Sequence, residues 1–304
     1  MGLSRPTMIH ATAPPERLAA LRIVVGTFAV IYLAGRTPVL LGLRDRAAAG
    51  FDGVGVLTWR DAPLDDAVVT TLVVVALLSG IGFTAGAAFR LSGPLFALSA
   101  LVLTTYRSSW GQLLHFENLV VLHLLIVGVA ASADAWSFDA VRRARAGRDA
   151  VGDGEYAAPM RLACVVVVVA YVIAGVAKLR YGGIEWIASD SLRHHIAYSA
   201  ARLELLGGAP SPLARPFVEQ AWLLPPMAGA SVAVELAAPV ALLGGRLRTV
   251  WVVSAWLMHA AIAALMLVGF PYPLFLVAFA PFFELERAVE RVGGWWRARR
   301  ATSA

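Results

Sequence analysis

Apolar stretches long enough to cross a bilayer recur along almost all of this sequence, separated by short polar connections. A helix needs about 20 mostly apolar residues to span the hydrocarbon core. By that measure the stretches fall at 18–42, 67–89, 91–106, 113–132, 162–179, 223–243, 249–270 and 272–283. The third and the eighth are the shortest for a full crossing. Backbone polar groups in lipid must be satisfied within their own segment, which a helix does. The expected fold is therefore all-α, a polytopic integral membrane bundle of about eight transmembrane helices.

Composition closes off the soluble alternatives. The chain is 59% apolar and 15% charged, against about 45–50% and about 25% in soluble domains. Its mean hydropathy is +0.71. A soluble domain could not hide that much apolar surface, so the lipid bilayer is the expected partner. The net charge of +6 would suggest nucleic acid in a soluble protein. Here the arginines sit between or beyond the apolar stretches, where they serve anchoring and topology, and no nucleic-acid partner is expected. The single cysteine, Cys164, cannot form an intrachain disulfide and reads as an inert buried thiol. Of 26 basic side chains only Lys178 is a lysine. The arginine bias fits a GC-rich genome, yet that one lysine falls near the end of an apolar helix.

Arginine placement sets the expected topology. Arg142, Arg143, Arg145 and Arg148 follow the fourth stretch, and Arg287, Arg291, Arg297, Arg299 and Arg300 follow the eighth. With eight spans these clusters share a side with the N-terminus, whereas Arg44, Arg46, Arg60 and Arg193 face the other side. The positive-inside rule then puts both termini in the cytoplasm of a multi-pass protein of the cell (inner) membrane. The organisation is a cytoplasmic segment 1–17, a transmembrane domain 18–285 and a basic cytoplasmic tail 286–304. No cleavable signal peptide is evident.

The longest non-cytoplasmic connection is 180–222. Within it, 190–206 reads as a helix lying on the membrane surface, with Leu192, Ile196, Leu203 and Leu206 at helical spacing. Ser189 or Asp190 could cap it. Pro210, Pro212, Pro216, Pro225 and Pro226 then break the chain.

Ionisable groups inside spans are costly and usually face protein or a wet cavity. They are Arg22, Arg36, His115, Glu117, His123, Lys178, Glu235 and His259, with Asn118 beside them. Lys178 lies on a helix with small residues at Ala170, Ala174, Gly175 and Ala177, which let neighbouring helices approach. One reading is a desolvated amine: burial disfavours the charged form and makes lysine usable as a base. The other is a lysine that snorkels to the interface beside Arg180. Glu235 is nearly central in its span. Pro239, four residues on, lacks an N–H and should kink the helix there. Glu235 could hold a proton or a cation, or pair with Arg22, Arg36 or a histidine. His259 could shuttle a proton or bond across helices. The run His115-Phe116-Glu117-Asn118 lacks the i,i+4 histidine pair of a metal site, and no metal is expected. No phosphate-binding loop, dinucleotide fingerprint or Gly-x-Ser-x-Gly elbow occurs.

The run Tyr171-Val-Ile-Ala-Gly175-Val-Ala-Lys178-Leu-Arg-Tyr-Gly-Gly-Ile-Glu-Trp186 resembles the Tyr…Ala-Gly…Lys-Leu…Trp segment of the horizontally transferred transmembrane (HTTM) family. That family includes the vitamin K-dependent γ-glutamyl carboxylases. Three further features are similar in the same order: His115 through Trp136-Ser137-Phe138-Asp139, Glu235-Leu236, and His259 followed by Gly269-Phe270. The resemblance covers about 15–285, and the segment around Lys178 is its most specific part. It implies that Lys178 is the base toward a vitamin K-type quinol or menaquinol, with oxygenation of the resulting anion preceding carboxylation. It also implies that His115 and His259 assist in proton transfer and that Tyr171, Gly175, Trp186 and Glu235 help to hold the quinol. A membrane or secreted protein would be the carboxylated substrate. The carboxylases continue into a large extramembrane region, and here only 180–222 offers comparable room for a polypeptide. The alternative is a non-enzymatic membrane component, either a partner subunit or a small-solute carrier, on the same helices.

Overall fold

The computed structural model describes residues 12–111, 115–148 and 156–291, with His115 described by its backbone alone. Every regular element among the described residues is helical. The chain divides into two compact units. Their described parts are residues 12–111, 115–148, 156–163 and 283–291, and Cys164–Phe282.

The first unit holds α1 (Pro15–Gly42), α2 (Asp66–Ala85), α3 (Phe89–Ser108), α4 (His115–Val129) and the short α5 (Phe138–Arg145). Proline at the first position suits α1, because its missing N–H would have no helical partner there. α2 stops at Gly86, whose φ of +64° is cheap only for glycine. The Gly86 N–H donates to Phe83 O and the Ala87 N–H to Gly82 O, which satisfies the last carbonyls of α2. A side chain at Gly86 would also collide with Ser137 and Arg22. The chain therefore reverses within three residues, and α2 and α3 pack as neighbours. Leu18, Leu21, Val25, Phe83, Phe96 and Leu103 form the dry interior of this unit.

α6 (Ala157–Gly182) leads into the second unit, which continues with α7 (Glu185–Ala188), α8 (Ser191–Leu205), α9 (Ala214–Glu219), α10 (Leu224–Leu236), α11 (Gly245–Met266) and α12 (Pro271–Leu274). α10 ends just before Pro239, and the chain tightens into a 3-10 turn over Ala238–Leu243. The break expected from that proline is present, because the missing N–H stops the α-helical ladder.

Among the described residues, five helices are long and apolar enough to cross a membrane: Pro15–Asp45, Asp66–Ala85, Phe89–Ser108, Ala157–Gly182 and Gly245–Met266. Phe116–Val129 and Ala221–Leu236 are apolar but shorter. The count of about eight full spans expected from apolar run length is thus not reproduced helix by helix. The third stretch is a full-length helix of 20 residues. The eighth becomes α12 followed by a 3-10 turn over Val277–Phe282. Its residues Val277–Phe282 are buried within the fold, so apolarity there reflects protein packing as much as lipid.

The outer faces are what a bilayer requires. Leu78, Ile81, Leu91, Ile173 and Val250 are exposed on long helices. In water such faces would be an association hazard, whereas in lipid they cost nothing. In the 180–222 connection, α8 forms where a helix was expected over 190–206. The Ser189 hydroxyl accepts from the Ser191 N–H at its start, while Asp190 pairs with Arg193 at 3.7 Å. Ile196 is fully buried with Ala214, Leu224 and Leu265, and Leu192 packs against them. Leu205 and Leu206 remain exposed, so the expected apolar face is split between protein and surroundings.

Candidate functional site

Tyr171, Gly175 and Lys178 follow one another at spacings of four and three residues on α6. In a helix of 3.6 residues per turn this sets all three on one stripe. The stripe faces α10 and α11. Gly175 lets α10 come close: a Cβ there would lie 3.0 Å from both the Glu235 Cβ and the Leu236 Cδ2.

That approach brings the sole lysine to Glu235, which lies at the penultimate position of α10 rather than in the middle of a continuous helix. Lys178 Nζ donates to Glu235 Oε1 at 2.5 Å. The lysine side chain is 23% exposed and that of the glutamate 6%. Nζ also lies 5.6 Å from the centre of the Trp186 ring, a cation–π distance. Trp186 in turn lies against the His195 ring, 5.1 Å between centroids. Glu235 Oε2 is buried and has no hydrogen-bond partner among the described residues. The lysine is therefore neither isolated in apolar surroundings nor free at the interface. It is a partner in a half-sheltered ion pair.

Two turns earlier on the same stripe, Tyr171 OH and His259 Nε2 lie 2.8 Å apart. Trp251 packs edge-on to the Tyr171 ring and donates its indole N–H to Val234 O at 2.9 Å. Phe279 stands against both rings, and Phe270 against His259. At 1.5 Å rise per residue the seven residues between Tyr171 and Lys178 correspond to about 10 Å. The site thus has two polar contacts along one helix face, Tyr171–His259 in an aromatic cage and Lys178–Glu235 beside a tryptophan.

The structure brings together Lys178, Glu235, Trp186 and Gly175, and separately Tyr171 with His259. Of the polar partners weighed for Glu235 it selects none; the partner is Lys178. The His115 side chain lies outside the described residues. His123 is fully buried in the first unit, its Nε2 3.1 Å from Ala163 O.

The family-like run around Trp136-Ser137-Phe138-Asp139 has a structural task. Ser137 Oγ accepts from the Ala140 N–H and caps α5. Asp139 accepts from the N–H groups of Ala88 and Phe89 at the start of α3. Arg22, fully buried, donates to Ser132 O at 2.8 Å and Trp136 O at 2.6 Å. These contacts fasten the α2–α3 turn to the 132–139 segment.

One polar cluster in the first unit is not apparent from the sequence. Glu117, 2% exposed, is paired with Arg107 and accepts from Tyr32 OH at 2.5 Å. Arg107 also donates to that hydroxyl at 3.2 Å. Glu117 and Arg36 stood out as charges in apolar runs. Arg107 did not, because it follows the run that ends at Tyr106.

Comparison with curated proteins gives no match, and comparison with solved structures gives none either. A family model for the HTTM domain matches residues 11–286, nearly the whole chain, and includes every residue of both polar contacts on α6. On that match, this helical membrane protein belongs to the HTTM family.

Proposed function

We propose that the second unit is the proton-accepting centre of a carboxylase-like HTTM enzyme, acting on a lipid-soluble quinol of the menaquinol or vitamin K type. The observation that carries this reading is the Lys178–Glu235 contact with its buried, unpartnered carboxylate oxygen. A lysine bonded to a carboxylate has a place to put its own proton. Transfer from Nζ to Glu235 Oε1 leaves a neutral amine, which then takes the hydroxyl proton of a quinol. Glu235 Oε2 offers an acceptor for an O–H donor, and the Trp186 face beside Nζ suits a flat ring. Dioxygen is the oxidant that the family resemblance implies for the deprotonated quinol. Tyr171 lies on the same stripe of α6, and its contact with His259 of α11 supports a proton relay or a rigid aromatic cage. A membrane or secreted protein is the proposed final substrate, met at the α7–α9 connection.

In this reading the protein sits in the cell inner membrane with both termini cytoplasmic. Arg17, at the start of α1, pairs with Glu284 at 3.0 Å and Glu286 at 2.6 Å. The two ends of the described chain are thereby tied at one end of the first unit, which supports an even number of crossings.

The internal pairing also favours a second reading, in which Lys178–Glu235 only clamps α6 to α10 in a non-enzymatic subunit or carrier. Purified protein in liposomes with reduced menaquinone and air separates the two. Wild type should consume the quinol, and Lys178→Ala should not, at equal protein level. Undiminished consumption by Lys178→Ala eliminates the enzymatic proposal.

A further inference from the structure

Arg36, Tyr32, Arg107 and Glu117 lie near helix ends in the first unit and stand apart from the proposed centre. Arg36 lies in the last two turns of α1, Arg107 is the penultimate residue of α3, and Glu117 is the third residue of α4. α1 and α3 cross in opposite directions from α2 and α4, so these positions come to one end of the unit. The end of a spanning helix is the depth of lipid head groups.

The charges there do not cancel. Glu117 is matched by Arg107 and by the Tyr32 hydroxyl. Arg36 is stacked over the Tyr32 ring at 5.3 Å and has no carboxylate within ion-pair distance among the described residues. The cluster therefore holds one positive charge more than negative, on a half-buried guanidinium. Glu117 Oε2, also buried, has no hydrogen-bond partner among the described residues.

A shallow cleft opens between these groups, lined by Tyr32, Leu33, Arg36, Leu103, Arg107 and Glu117. Its floor is apolar, and Ile31 and Val39 on the same helix as Arg36 are exposed. A fitting ligand needs three features. It must carry one negative charge for the Arg36 fork, an O–H donor for Glu117 Oε2, and an apolar tail for the leucine walls. A planar guanidinium binds phosphate oxygens in a fork, which favours a phosphate over a halide.

We propose that this cleft binds the phosphate head group of an anionic phospholipid that also bears a head-group hydroxyl. Phosphate chemistry alone is shared with the free ion, and the leucine walls and exposed α1 face assign the lipid.

The test uses the full chain in detergent, with phosphatidylglycerol as the probe and native mass spectrometry as the readout. Wild type should retain phosphatidylglycerol about five-fold more than phosphatidylcholine of the same acyl chains, the worth of one basic side chain near the membrane surface. Arg36→Gln should lose that preference, and Arg36→Lys should keep part of it. Equal retention of the two lipids by wild type overturns the proposal without any variant. So does an unchanged preference in Arg36→Gln. Full displacement of the lipid by millimolar inorganic phosphate overturns the lipid assignment, and persistence of the lipid supports it.

Discussion

Removing Lys178 should cost more than removing Glu235, because the two partners are sheltered unequally. The carboxylate side chain is 6% exposed and the lysine side chain 23%. Lys178→Met leaves a buried carboxylate whose two oxygens both lack a donor, since Oε2 already has none among the described residues. Stranding one member of a buried pair costs about 3–5 kcal/mol. Glu235→Gln releases an amine whose long stem can carry it toward the interface, and the expected cost is about 1–2 kcal/mol. The double replacement Lys178→Met/Glu235→Met strands nothing and should lie within about 1 kcal/mol of wild type. The two sites touch, so the single effects should not add. Unfolding in mixed micelles by titrated denaturing detergent, followed by tryptophan fluorescence, measures all four proteins. A Lys178→Met protein no less stable than Glu235→Gln, or a double variant showing the sum of the two losses, refutes the unequal sheltering of the pair. The same set serves the functional reading: the double variant should be stable yet unable to consume quinol.

Gly175→Ala should destabilise by about 1–3 kcal/mol, since its Cβ would meet Glu235 and Leu236 at 3.0 Å and α10 must give way; a melting curve that overlays wild type refutes the close approach. Tyr171→Phe should cost about 1 kcal/mol for the contact to His259. If that hydroxyl relays protons, the variant should also slow quinol consumption beyond what its stability explains, and an unchanged rate assigns it to packing alone.

Much of the fold was legible in the sequence, because crossing a bilayer is a one-dimensional requirement. Run length and low charge marked α1, α2, α6 and α11, and Pro239 marked the end of α10. The same rule does not foresee the short turns at 272–283, where Val277–Phe282 are buried by protein while Phe275 and Leu276 stay exposed. It also undervalued α3, whose helix runs through Arg107 past the end of its apolar core. The candidate site was half legible. Lys178, Glu235 and His259 stood out as charged or titratable groups in apolar runs.

Their pairing was not, because it depends on which helices touch and at what height. Nothing in the order of residues says that Gly175 would admit α10, and so deliver Glu235 to Lys178 rather than to an arginine. Nor does it say that Arg22 would be spent on the carbonyls of Ser132 and Trp136. By itself the sequence determined an all-helical membrane chain, its apolar segments and its few misplaced polar groups, since lipid penalises each residue individually. Only the tertiary structure decided the partners of those groups, since a hydrogen bond requires two atoms within about 3 Å, and helix packing sets that distance.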